Sequence, residues 1–124
     1  MMIRELEVND SSYAPGEVLN HPDNHFTHIT ISYDISGNRQ TIDNQIDMSV
    51  EKESHLIKVK YVNTTLYWQI DLDGSSKEEK VENARAILKK KLPQIFIGDN
   101  SLNGSTVTVF CMVGNLRGFA FKLS

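Results

Sequence analysis

The chain has few cysteine, proline and tryptophan residues: one, three and one, respectively, in 124 residues. A lone cysteine cannot form an internal disulfide, and Cys111 lies in the apolar stretch from Val107 to Val113, where we expect a buried, unreactive thiol. No apolar run approaches the roughly 18 residues that span a membrane, and the first residues lack the pattern of a signal peptide. These observations predict a cytoplasmic protein without a membrane partner.

A basic excess is also lacking, since the formal net charge is -3 and the pI is near 5.8. Binding to nucleic acid or to anionic lipid normally requires such an excess. The small basic cluster of Arg85 and Lys89-Lys90-Lys91 fits the end of a helix, where lysine is favoured in any case. The length and the hydrophobic fraction of 40% are those of a globular chain, and we expect a single α+β domain over residues 1–124.

The familiar enzyme motifs do not occur: there is no glycine-rich phosphate loop, Gly-x-Ser-x-Gly elbow, His-x-x-x-His helix or Cys-x-x-Cys pair. Three histidines, His21, His25 and His28, lie close together, but an extended segment would point His25 and His28 to opposite faces. No second cluster completes a metal site, so solvated histidines are the preferred interpretation. The sequence predicts no metal and no cofactor, and it leaves enzymatic activity undecided while giving no catalytic residue.

Four strand-like runs, at residues 25–35, 39–50, 55–63 and 66–73, alternate apolar and polar residues with period two. Gly37-Asn38 suits a two-residue hairpin turn between the first two runs, which predicts an antiparallel β-meander of about four strands. A short strand within residues 2–8 and a long loop over residues 9–24 precede it. Loops at residues 51–54 and 63–66 give two further registers, the last of which pairs Val59 with Ile70. All three predicted registers place the apolar side chains, Ile57 among them, on one face of the sheet.

A helix is predicted to follow, because Ser76 and Glu79 have the spacing of a capping box and apolar residues then recur at helical spacing up to Pro93. This one amphipathic helix should cover the apolar face of the meander. A connection over residues 93–105 leads to strands near 106–113 and 119–123, which form a C-terminal β-hairpin with Val113 opposite Phe119.

Two groups of polar residues are candidate sites. The predicted registers align His28, Asp47, Lys58 and Asp71 in a row that brings a general base near carboxylates and an amine. Cross-strand charge pairing is the preferred explanation of such a row. Asn44 interrupts the apolar face beside Tyr61 and Trp68, and these residues could line a small-molecule pocket with Tyr33. The alternative is a core amide that has found a hydrogen-bond partner.

The terminal hairpin supplies a third candidate, because Phe110, Met112 and Ala120 fall on the face that should be polar in a water-exposed hairpin. This surface predicts contact with another protein or with a second copy in a homodimer. We therefore expect a non-enzymatic protein-interaction module, such as a small regulator, inhibitor or assembly component. The alternative is a small-molecule-binding protein or minor enzyme that uses one of the two polar groups.

Overall fold

A computed structural model describes residues 1–6, 26–114 and 116–124 of the chain. The described part is α+β: six strands form one antiparallel sheet in the order β1-β6-β5-β2-β4-β3, accompanied by two helices. The elements in chain order are β1 (Ile3–Leu6), β2 (Phe26–Ser36), α1 (Gln40–Lys52), β3 (Leu56–Lys58), β4 (Thr65–Asp71), α2 (Lys77–Phe96), β5 (Thr106–Val113) and β6 (Arg117–Leu123). The predicted loop over 9–24 lies outside the described residues. Neither helix is both long and apolar enough to cross a membrane.

The predicted second strand is wrong, because residues 39–50 fall almost entirely within α1. Gly37, at φ 106°, turns the chain out of β2, and the side chain of Asn38 accepts a 3.0 Å hydrogen bond from the backbone N–H of Gln40. That bond satisfies one of the free donors at the start of a helix. Ile42 and Ile46 are buried one turn apart, so the segment packs as a helix rather than as part of a meander.

Strand β2 therefore pairs with two distant segments, with β4 on one side and with β5 on the other. Ile29, Ile31 and Tyr33 point to the same side of β2 and are buried. The terminal hairpin, whose relation to the meander the sequence left open, is continuous with this sheet through β5.

The register between β3 and β4 differs from the prediction by an odd number of residues. The prediction paired Val59 with Ile70, whereas the structure pairs Leu56 with Trp68. An odd shift turns each side chain of a strand to the opposite face. Leu56 is accordingly buried, and Ile57, a predicted core residue, is 52% exposed.

The predicted helix is confirmed as α2, and Ser76 is its N-cap. The Ser76 hydroxyl accepts a 3.1 Å hydrogen bond from the backbone N–H of Glu79. The predicted end at Pro93 is wrong, since the helix continues to Phe96. Burial of Leu92, Ile95 and Phe96 extends the apolar stripe past the proline, and packing energy of this kind outweighs the hydrogen bond that proline cannot donate.

The terminal hairpin is confirmed with a register two residues from the prediction, since Val113 pairs with Arg117 and Cys111 with Phe119. A shift by an even number leaves the same side chains on the same face. Val109, Cys111, Phe119 and Phe121 are buried as expected, and Phe110 lies on the other side of the hairpin.

The two sides of the sheet differ in what covers them. On the helix face, Lys58 of β3 forms a 3.0 Å ion pair with Asp47 of α1, and Glu5 of β1 accepts a 2.8 Å hydrogen bond from Arg85 of α2. The hydrophobic core lies between this face and the two helices. The opposite side, which we call the open face, carries the alternate residues of each strand, among them Arg4, Thr30, Ser32, Asp34, Tyr67, Thr108, Phe110, Met112, Ala120 and Lys122.

Candidate functional site

Phe110, Met112 and Ala120, the apolar residues singled out on the terminal hairpin, lie together on the open face. Phe110 and Ala120 are directly opposed across β5 and β6, and Met112 follows two residues along β5. Phe110 is 41% exposed, while Met112 and Ala120 are partly buried. A phenylalanine side chain this exposed leaves much of its apolar area in water, an arrangement that binding would relieve.

The Phe110 ring extends across β6 because Gly118 has no side chain. A β-carbon at Gly118 would lie 2.8 Å from Cζ of Phe110, closer than two carbon atoms can approach without displacement. The ring thereby covers backbone that would otherwise be bare. The glycine thus fixes where the ring can lie, and the position of the aromatic surface is set by the backbone beneath it.

Strand β2 adds two neutral hydroxyl residues to this surface. Ser32 is the pairing partner of Phe110, and Thr30 is that of Met112, and both are exposed. We call the five residues Phe110, Met112, Ala120, Thr30 and Ser32 the Phe110 patch. No sequence pattern indicates the contribution of β2, because some 80 residues separate the paired segments and only the sheet topology joins them.

A shallow depression of about 300 Å³ opens beside the Phe110 ring. Its lining is more apolar than polar, and the polar groups come from β2 and β5. The lining residues are Ser32, Tyr33, Asp34, Thr108, Val109, Phe110 and Ala120. The depression is of a size to take a single side chain of a bound protein, which makes it a natural part of the Phe110 patch surface.

Along the described part of the open face, charged residues form a row at one end and Asp71 lies at the other end, away from the Phe110 patch. Asp34 pairs with Thr108, Thr108 with Lys122, and Lys122 with Arg4, so the four form one row across β2, β5, β6 and β1. Asp34, Thr108 and Arg4 are exposed, and Lys122 is partly so. The row carries acid on the β2 side and base on the β6 and β1 side.

The predicted polar row of His28, Asp47, Lys58 and Asp71 is not assembled. Asp47 belongs to α1 and pairs with Lys58 on the helix face, whereas His28 lies on the open face opposite Gln69. Asp71 pairs with Phe26 at the far end of β4. The row rested on pairing residues 39–50 as a strand, and it is lost because that segment is a helix.

His28 contacts an aromatic residue, Tyr67, rather than the charged residues of the predicted row. Its ring stacks on that of Tyr67 with centroids 5.4 Å apart and an interplanar angle of 26°, and the Tyr67 hydroxyl contacts Nδ1 of His28. Gln69 is the cross-strand partner of His28. The pair extends the open face beyond Thr30, since Thr30 is paired with Tyr67.

The predicted pocket around Asn44, Tyr61 and Trp68 does not form. Asn44 is exposed on α1, where its side chain accepts a 3.0 Å hydrogen bond from Gln40, and Tyr61 is 89% exposed in the loop after β3. Trp68 is buried in the core. Tyr33, the fourth predicted residue, is a satisfied core residue whose hydroxyl donates a 2.9 Å hydrogen bond to the carbonyl of Asn63. Burial raises the pKa of the Tyr33 hydroxyl.

Metal-binding residues do not cluster in the part of the chain that the structure describes, where no three histidine, cysteine, aspartate or glutamate side chains come together. His21 and His25 lie outside the described residues. Cys111 faces the core, and burial raises the pKa of its thiol to about 12. Such a thiol stays protonated at neutral pH and is a weak nucleophile.

Comparison with known proteins adds no family to this picture. No family model, curated protein or solved structure matches the chain.

Proposed function

We propose that the chain is a non-enzymatic protein-interaction module and that its binding surface is the open face, centred on the Phe110 patch. The observation that carries the proposal is the exposure of Phe110 in the middle of a sheet face that no described helix covers. An antiparallel sheet face that water alone contacts is normally polar. An aromatic residue held there favours a protein partner that removes its ring from water.

The distribution of charge on the open face supports the same function. The Phe110 patch consists of uncharged residues, while Asp34, Lys122 and Arg4 lie at its margin. Interfaces between proteins share this arrangement, with few charges in the buried centre and polar groups around the rim. Aromatic residues and methionine are enriched in such centres, and both are present.

Photo-crosslinking tests the proposal directly. A photoreactive phenylalanine derivative is placed at position 110, and the chain is expressed in cells of its source organism. The matched control carries the same derivative at Ala86, an exposed position on α2. We expect adducts of defined mass from position 110 and none from position 86, with mass spectrometry identifying the captured chain.

A charged substitution provides the second arm of the test. Phe110→Asp should abolish the adducts formed by a photoreactive residue at neighbouring Met112, because a desolvated carboxylate in the interface centre opposes association. Circular dichroism should show that this variant remains folded, since Phe110 lies outside the helix-face core. Equal labelling from positions 110 and 86, or none from either, would contradict the proposal.

A further inference from the structure

We infer that the chain binding the open face is a second copy of this protein, related to the first by a twofold axis parallel to the strands of the β5–β6 hairpin. The inference rests on the proposed function, because it names the partner of that surface. Two observations support it: the asymmetric charged row and the position of the apolar residues beside it.

The charged row makes the open face complementary to itself. Along the row, Arg4 and Lys122 lie on one side of Thr108 and Asp34 on the other. No ion pair or hydrogen bond in the described part of the chain uses the side chains of Arg4, Lys122 or Asp34. Arg39 attracts Asp34 only through space, without an ion pair between them. The three charges can therefore pair with a partner that presents the opposite order.

A twofold axis along the strands supplies that opposite order. It exchanges left and right across the sheet and leaves the height along each strand unchanged, so each row meets its own reversed copy. With the axis over β5, Asp34 of one copy faces Lys122 of the other. With the axis between β5 and β6, Asp34 faces Arg4 instead. In both cases the contact between opposite charges forms twice, as symmetry requires of such an interface.

The apolar residues lie where the same axis passes. Phe110 and Met112 are on β5, and Ala120 is beside Phe110 on β6. With the axis over β5, Phe110 and Met112 each meet their own copy, and with the axis between β5 and β6, Phe110 meets Ala120 of the other copy. Thr108, the uncharged member of the row, is also on β5 and avoids a like-charge contact on the axis. A partner of unrelated sequence would need to supply both the apolar centre and the charge order independently.

The area of the surface sets the strength to expect. Each outward residue of a sheet occupies about 33 Å², from a strand spacing near 4.8 Å and a repeat near 6.8 Å. The nine residues of the Phe110 patch and the charged row therefore cover roughly 300 Å² per copy. A typical stable complex buries about 800 Å² per partner. The dimer should therefore be weak, and it should be examined at concentrations up to about 500 µM.

Sedimentation equilibrium on the full chain gives the first test. We expect wild type to change from monomer to dimer as its concentration rises, and Phe110→Asp to remain a monomer throughout. A wild-type chain that is monomeric at all concentrations overturns the inference.

Charge reversal gives a sharper test, because it separates recognition from folding. Asp34→Lys makes the row wholly basic, and the double variant Arg4→Glu/Lys122→Asp makes it wholly acidic. Each variant alone should self-associate at least about tenfold more weakly, because like charges then face each other across the axis. The equimolar mixture should form heterodimers with an association constant close to that of wild type.

The controls carry equal changes of charge on the helix side. Glu51→Lys and the double variant Lys89→Glu/Lys90→Glu alter exposed residues of α1 and α2. Both should dimerise as wild type does, and their mixture should show no preference for the heterodimer. A mixture of the two open-face variants that fails to form heterodimers, or a control mixture that forms them equally well, overturns the inference.

The outcomes also separate this inference from the proposed function. Adducts from position 110 that contain a different protein, together with a monomeric wild type, reject the second copy and leave the interaction module standing. Absence of adducts and of self-association rejects both.

Discussion

At the scale of single residues, Cys111 links the stability of the fold to pH. It lies in the middle of β5, paired with Ile31 on one side and with Phe119 on the other, and it is completely buried. Burial raises the pKa of its thiol from an ordinary value of 9.0 to about 12. The unfolded chain therefore loses this proton at a lower pH than the folded chain does, and stability depends on pH over that interval.

The thiol should make the protein less stable in alkali. Because the folded pKa is the higher one, its contribution is fully present below pH 9 and is lost as the pH rises toward 12. Relative to Cys111→Val, which has no proton to lose, wild type should lose on the order of 1 kcal/mol of unfolding free energy between pH 8 and pH 10. Urea denaturation of both proteins at each pH measures the difference, and parallel pH profiles would contradict the assignment.

At the scale of secondary structure, α1 shows why a correct pattern can predict the wrong element. Ile42, Ile46 and Val50 are spaced by four residues, which places them on one side of a strand and equally on one side of a helix. The strand interpretation also required Asn44 and Met48 to be buried. In the helix both point outward, and Met48 is 46% exposed. The polar Asn44 in a supposed core was therefore the local sign of a helix.

The Asp47–Lys58 ion pair gives a prediction that distinguishes the two interpretations. It joins α1 to β3 at 3.0 Å, and both side chains are well exposed, so it should contribute about 0.2–1 kcal/mol. Lys58→Glu should destabilise the protein by an amount in that range, and Asp47→Lys in the same chain should restore part of it. Asp71→Lys is the control and should restore nothing, because Asp71 lies on β4 and is not paired with Lys58. Chemical denaturation of the single and double variants measures the coupling.

The N-terminus of α2 gives a second prediction at this scale. Ser76→Ala removes the acceptor of the Glu79 backbone N–H and should cost roughly 0.5–2 kcal/mol of unfolding free energy. Ser75 is the matched control, since its hydroxyl only donates to the exposed carboxylate of Glu79. Ser75→Ala should cost at most a few tenths of a kcal/mol in the same thermal melts. The opposite order of effects would place the start of the helix one residue earlier.

The strength of local signals decides which elements the sequence could predict. Three features depend only on residues that are close together in the sequence: the Ser76 cap, the apolar stripe of α2 and the alternation of β5 and β6. The predictions made from them are confirmed. The end of α2 is different, because Pro93 opposes continuation locally while distant packing of Ile95 and Phe96 favours it. A pattern of neighbouring residues cannot predict that packing, because the packing depends on residues far away in the sequence.

At the scale of the whole molecule, the order of strands in the sheet could not be predicted from the sequence for the same reason. The centre of the sheet joins β2 to β5, and nothing within either strand specifies a partner some 80 residues away. The apolar open-face residues of the hairpin were recognisable because they depend only on alternation within β5 and β6. Thr30, Ser32 and Asp34 were not, because they reach the Phe110 patch only through the long-range pairing.

The pairing of β1 with β6 determines how the protein should respond to mechanical force. Two backbone hydrogen bonds, of 2.7 and 3.0 Å, join Met2 to Ser124, and the antiparallel register then runs inward from Ile3 and Leu123. A load applied between residues 2 and 124 therefore acts on the first hydrogen-bonded pair of this ladder and breaks the pairs, or rungs, one after another. Force applied between residues 3 and 120, at opposite ends of the ladder, would instead shear all rungs together. In optical tweezers, handles at residues 2 and 124 should detach β1 at a clearly lower force than handles at residues 3 and 120. Equal forces in the two geometries would show that β1 is held by its side chains, such as Glu5 on Arg85, rather than by its backbone.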